Sequence, residues 1–170
     1  MIEDISTIVH PEWFDFKEYT FSHSEISHQD VQGYQAIPKY TLKGKITIPK
    51  EYNNKPVISL DLNSKRAKNA NGNMTYGDPS EITHIFFENE SNILEIVDST
   101  TGNDYGDNTD GLLKYCDLPE SLIYLGNNVF MRCPYFKLPE NDNGDFILPD
   151  KLQYIGKYCF WFAGQSNISE

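Results

Sequence analysis

The chain has 170 residues, 39% of them hydrophobic and 14% aromatic, so it is long enough to bury a core and is far from the composition of a disordered segment. Twenty-five acidic against 14 basic residues give a formal net charge of −11, which repels a phosphate backbone and argues against nucleic acid as a partner. No apolar run approaches the ~18 residues of a membrane span, and the acidic start Met1-Ile2-Glu3-Asp4 has neither the basic flank nor the apolar core of a classical signal peptide.

Residues 1–39 carry no repeat and read as an N-terminal unit. Aromatics at Phe14, Phe16, Tyr19 and Phe21 follow Trp13 in a partly alternating pattern that predicts a strand over 13–21, and the polar run Ser22–Gln32 predicts a loop. Two roles are open to this unit: a cap over exposed core, or a docking element for another subunit. Within the loop, His23, Glu25 and His28 have no standard zinc spacing, so no metal site is expected there.

From residue 40 the pattern changes. Tyr40–Ile48 alternates, Pro49 ends it, and Val57-Ile58-Ser59-Leu60 follows a polar turn. Residues 61–80, with Lys65, Arg66 and Lys68 and then a Gly- and Asn-rich run, read as a solvated insertion. Ile82–Phe87 and Ile93-Leu94-Glu95-Ile96-Val97 are strand-like. The acidic stretch 98–111 suggests calcium until its spacing is tested: placing Gly111 at the sixth position of an EF-type loop puts Gly106, not an acid, at the first. It too reads as an insertion.

The most informative segment is Leu118-Pro119-Glu120-Ser121-Leu122-Ile123-Tyr124-Leu125-Gly126, continuing to Phe130. It returns as Leu148-Pro149-Asp150-Lys151-Leu152-Gln153-Tyr154-Ile155-Gly156, continuing to Phe160. Leu-x-x-Leu/Ile turns two apolar side chains inward, Gly supplies backbone freedom for the next bend, and the Phe stacks on the neighbouring turn. A turn-rich insertion, 138–145, separates the copies. Cys116, Cys133 and Cys159 lack metal-ligand spacing and fall at or near core positions, which predicts buried free thiols.

The pattern L-P-x-x-L-x-x-L/I-G-x-x-x-F, with Cys133 and Ala163 at equivalent places, resembles the BspA-like leucine-rich repeat of bacterial surface, protist and phage proteins. The resemblance implies a β-rich leucine-rich-repeat solenoid over 40–170, with short strands, short helical turns, irregular repeats and a small N-terminal β cap. It also implies one stacked apolar ladder of Leu122, Leu125, Phe130, Leu152, Ile155 and Phe160.

No nucleophile elbow, phosphate-binding loop or H-E-x-x-H motif is present, so no catalysis and no cofactor are expected. The expected function is a non-enzymatic interaction or attachment module, a structural component of a larger assembly such as a phage virion or tail. The alternative is a bacterial cell-surface adhesin. Localisation is accordingly the virion or the cell surface, or the cytoplasm for a free-standing chain. Expected partners are a protein or host-surface ligand and other subunits of the assembly. Tyr124 and Tyr154 are the candidates for an outward recognition face, and Trp13 and Trp161, at opposite ends of the array, for docking.

Overall fold

The computed structural model describes residues 8–39, 42–62, 81–98, 113–131, 133–161 and 163–164. The strands are β1 (Phe14–Phe21), β2 (Val31–Pro38), β3 (Lys43–Ile48), β4 (Glu51–Tyr52), β5 (Lys55–Leu60), β6 (Glu81–Phe87), β7 (Glu95–Ile96), β8 (Tyr115–Cys116), β9 (Tyr124–Leu125) and β10 (Tyr154–Ile155). A seven-stranded mixed sheet runs β1-β2-β5-β7-β9-β10, with β4 attached to β5; a three-stranded sheet runs β3-β6-β8. Among the described residues the helical content is one 3-10 turn, Pro11–Trp13, and no helix is long and apolar enough to cross a membrane.

This overturns the expected solenoid of short strands and short helical turns. Two findings do so. The N-terminal aromatic strand is not a small cap: β1 pairs antiparallel with β2 along its whole length, Phe14 opposite Pro38 through Phe21 opposite Val31, and β2 then pairs in parallel with β5 inside the main sheet. The repeat copies bend through turns rather than helices, because Pro119 and Gly126, or Pro149 and Gly156, interrupt each copy too closely for a helical interior.

A shared local pattern places side chains in the parallel part of the main sheet. Val57, Leu60, Ile93, Ile96, Leu122 and Leu125 enter the larger core, where they meet Ile46, Ile48, Ile82, Ile85 and Cys116 of the other sheet. The intervening residues face away, and Ile58, Ile123 and Tyr124 build a second, smaller core with Phe21 and Ile26. Ile26 comes from the polar loop after β1, which therefore roofs the outer face of the main sheet. Backbone donors hold the rungs: Leu94 to the Ile58 carbonyl (2.8 Å), Ile123 to Leu94 (2.8 Å) and Gln153 to Ile123 (2.9 Å).

The expected six-residue ladder forms only in its first half. Leu122, Leu125 and Phe130 are fully buried, whereas Leu152 and Phe160 are half-buried and Ile155 is 44% exposed. The second copy rests on the first, and among the described residues β10 has a single hydrogen-bonded neighbour. Phe160 still stacks on Phe130, with ring centroids 5.4 Å apart.

The repeat glycines serve close approach rather than bending freedom. A Cβ on Gly126 would lie 2.4 Å from the Asp98 nitrogen, and one on Gly156 would lie 2.5 Å from the Asn127 nitrogen. The left-handed residue falls two positions later in each copy, at Asn128 (φ 59°) and Tyr158 (φ 57°). Beside the glycines a polar stair links three turns. Asp98 Oδ1 accepts from the Asn127 amide (2.8 Å), Asp98 Oδ2 accepts from Asn127 Nδ2 (3.0 Å), and Asn127 Oδ1 accepts from the Lys157 amide (2.7 Å).

Candidate functional site

Register aligns one row across the main sheet: Gln35 beside Ser59, Ser59 beside Glu95, Glu95 beside Tyr124, Tyr124 beside Tyr154. Partners in register point to the same face, so five strands deliver a polar-to-aromatic strip to the outer side of the sheet. Gln35 Nε2 donates to Ser59 Oγ at 2.9 Å, and both residues are buried.

Glu95 is the centre of this strip and is completely buried. Its Oε2 is 2.5 Å from His23 Nε2, which the loop after β1 carries over the sheet. Its Oε1 is also buried. Tyr19, reaching in from β1, donates its hydroxyl to this carboxylate, and that hydroxyl is pushed well above the ordinary tyrosine range, first by burial, then by the bond to Glu95 and by the charges of Glu95 and Asp61. His23 in turn stacks flat on Tyr124 (3.9 Å), and Tyr124 on Tyr154 (4.5 Å). A cavity of about 280 Å3 opens here, lined by His23, Asp61, Glu95, Val97, Asp98 and Tyr124.

Tyr124 is therefore not an outward recognition residue: it is 6% exposed, sandwiched between two rings, and its hydroxyl is pushed up to about 12 by burial, then by Tyr154 and the surrounding carboxylates. The two tyrosines do share one side of the sheet, but the loop carrying His23 and Ile26 covers that side at Tyr124. Tyr154, at the end of the same stack, is half-buried. Trp13 is half-buried, stacked on His10 at 4.2 Å, and precedes the edge strand β1. Trp161 is 45% exposed, packs edge-on to Tyr158, and follows the other edge strand, β10.

Sequence reading missed Glu95, Tyr19 and Ser59. A signal existed for Glu95, the one charge inside Ile93-Leu94-Glu95-Ile96-Val97, since a carboxylate in an apolar strand is either exposed or matched by a partner. Among the described residues no group of three His, Cys, Asp or Glu side chains could hold a metal ion; His23 meets Glu95, while His28 bonds the adjacent Gln29 carbonyl. The basic cluster at 65–68 and all of the acidic stretch after Asp98 lie outside the described residues.

The smaller sheet presents a contrasting face. Lys45, His84 and Tyr115 stand side by side in register, with Lys137 bridged to Tyr115. Burial lowers the His84 pKa, and Lys45 and Lys114 lower it further.

Large exposed apolar side chains are concentrated elsewhere. Of the eight among the described residues, only Ile8 lies outside Tyr135–Trp161; the others are Tyr135, Phe146, Ile147, Leu148, Ile155, Tyr158 and Trp161. Phe146, Ile147 and Leu148 precede β10 in the chain, Ile155 belongs to it, and Tyr158 and Trp161 follow it, whereas Tyr135 lies on the face of the smaller sheet beside His84, Phe86 and Tyr115.

No family model matches the chain, and no curated protein or solved structure is similar to it, so the likeness to BspA-like leucine-rich repeats stands on the residues of its two copies alone.

Proposed function

We propose that this chain is a non-enzymatic interaction module, a component of a larger assembly, which docks through the sheet edge at β10. The occupant is an extended segment of a partner protein. One observation carries the reading: among the described residues the parallel edge at β10 has no further strand, and the exposed apolar residues Ile155, Tyr158 and Trp161 lie on it or follow it closely in the chain. An open edge offers a row of backbone groups for strand addition, and flanking aromatics supply the apolar area that hydrogen bonds alone lack. The net charge of −11 opposes pairing of two copies of this chain, which favours a different protein as the partner.

The partner is found by affinity capture from the native source, and the interaction is then measured with the purified pair. Tyr158→Ser with Trp161→Ser should weaken the complex by at least tenfold with the far-ultraviolet spectrum unchanged. A partner bound equally well by that double variant, with crosslinks mapping to β1 instead, would refute the assignment.

A further inference from the structure

We infer that the outer face of the smaller sheet is a binding site for an acidic saccharide, a short run of sugar rings whose carboxylates are set apart by uncharged rings. The inference is independent of docking at β10. Register lays the row Lys45, His84, Tyr115 and Lys137 across this face, with a cation at each end and rings between them. Neighbouring strands lie about 4.8 Å apart, so the two lysines stand about 14 Å apart along the row. Phe86 widens the aromatic floor: its ring lies 6.1 Å from that of His84, within 12° of parallel, and 5.6 Å from that of Tyr115. Tyr135, 51% exposed, and Lys114 complete the lining of an open depression of about 470 Å3 over these rings.

Charge complementarity fixes the sign of the ligand. Lys45, Lys114 and Lys137 are exposed, and among the described residues none of them forms an ion pair, unlike Lys50 with Glu90 and Lys55 with Glu18. Three uncompensated ammonium groups around one depression run against the overall charge of −11 and give this face a local positive field. The neighbouring carboxylate, Asp117, is taken up by the Tyr115 hydroxyl and the Leu118 amide. His84, whose pKa is lowered by burial and then by Lys45 and Lys114, contributes a neutral ring. The shape selects the body of the ligand. The face of a paired sheet offers side chains and no free row of backbone groups, so an extended peptide laid on it gains none of the main-chain hydrogen bonds of strand addition. A nucleic-acid strand stacks on rings too, but it sets a charge on every nucleotide against a chain of this net charge. A sugar lays its C–H face on an aromatic ring, keeps its hydroxyls on the open side in water, and lets a carboxylate reach an ammonium at either end of the row.

The probe is a tetrasaccharide of alternating glucuronate and N-acetylglucosamine, titrated into the full chain at low salt and followed by calorimetry and by ring-proton NMR shifts of Phe86, Tyr115 and Tyr135. Saturable binding is expected, weakening as salt rises, with the methyl ester of the same tetrasaccharide bound about tenfold less tightly. Lys45→Gln with Lys137→Gln should lower the affinity about tenfold, and Tyr135→Ser about threefold. Lys17→Gln with Lys151→Gln removes the same charge elsewhere and should leave the affinity unchanged. Absence of saturable binding to the wild-type chain, equal binding of the methyl ester, undiminished affinity in folded Lys45→Gln with Lys137→Gln, or an equal loss in the Lys17→Gln with Lys151→Gln control overturns the site. Tighter binding of a blocked Glu-Tyr-Ser-Glu peptide, or of tetrathymidylate, overturns it as well and assigns the face to acidic protein or to single-stranded nucleic acid. If Lys45→Gln with Lys137→Gln fails to fold, unchanged affinity in Tyr135→Ser decides against the site.

Discussion

The two repeat copies spell nearly the same sentence and live in different environments. In 118–130 the residues Leu122, Leu125 and Phe130 are sealed, with Glu95 and Ile96 of β7 on one side and β10 on the other. In 148–160 the equivalents are half-buried or, at Ile155, open. Burial in a stacked sheet is thus a property of position in the stack: a residue type proposes a core site, and a second neighbour completes it.

The strongest way to break the comparison is at the phenylalanines. Phe130→Ala should cost about 3–5 kcal/mol in a urea titration, as for a large side chain removed from a sealed core. Phe160→Ala should cost less than about half of that, because water already reaches its ring. Equal losses would show that the second copy is covered in solution.

The glycines should erase the difference instead. Gly126→Ala and Gly156→Ala each drive a Cβ into the backbone of the preceding turn, at 2.4 and 2.5 Å, and backbone cannot step aside as a flexible side chain can. Each should lose about 1–3 kcal/mol or more, by similar amounts, since the nearest atoms in both clashes belong to the earlier neighbour. Midpoints from thermal or urea unfolding provide the check.

A smaller effect sharpens the link between the copies. Asn127→Ala removes the acceptor for the Lys157 amide and the donor to Asp98, both at an exposed site, and should cost about 1 kcal/mol. Amide exchange at Lys157 should quicken while exchange in β2 and β5 stays unchanged.

The subtlest contrast is chemical. The Tyr124 hydroxyl titrates near 12 in the folded chain against an ordinary 10, so the folded state retains a proton that the unfolded state gives up. That contribution to stability is whole below pH 10 and disappears as pH rises from 10 to 12. Tyr124→Phe should flatten this part of the profile, read as the change in urea midpoint between pH 9 and pH 11.5.

Local chemistry was legible in the sequence, and long-range arrangement was not. Phe14–Phe21, Lys43–Ile48 and Glu81–Phe87 could be read from alternation and β-branching, and the inward pair of each Leu-x-x-Leu/Ile from its spacing. β2 escaped because Val31-Gln32-Gly33-Tyr34-Gln35-Ala36 alternates weakly: Gly33 is there for the close approach of Pro56 and Ile58, not for propensity. The solenoid expectation failed for a related reason. A motif specifies how one rung folds; whether a hairpin of two eight-residue strands joins the same sheet depends on which edge it meets. The His23–Glu95 pair spans 72 residues, and neither side chain announces the other.

The chain's three thiols, Cys116, Cys133 and Cys159, all lie inside the stack, and burial pushes Cys116 well up and Cys159 to about 12. A thiol in that state is both unreachable and protonated, so an alkylating reagent can mark it only during an excursion from the native structure. The three residues belong to different turns and form a built-in clock. An array that unzips from its open edge surrenders Cys159 first, with Cys133 and Cys116 following as the disruption travels inward, and the order of modification records the direction of the fraying.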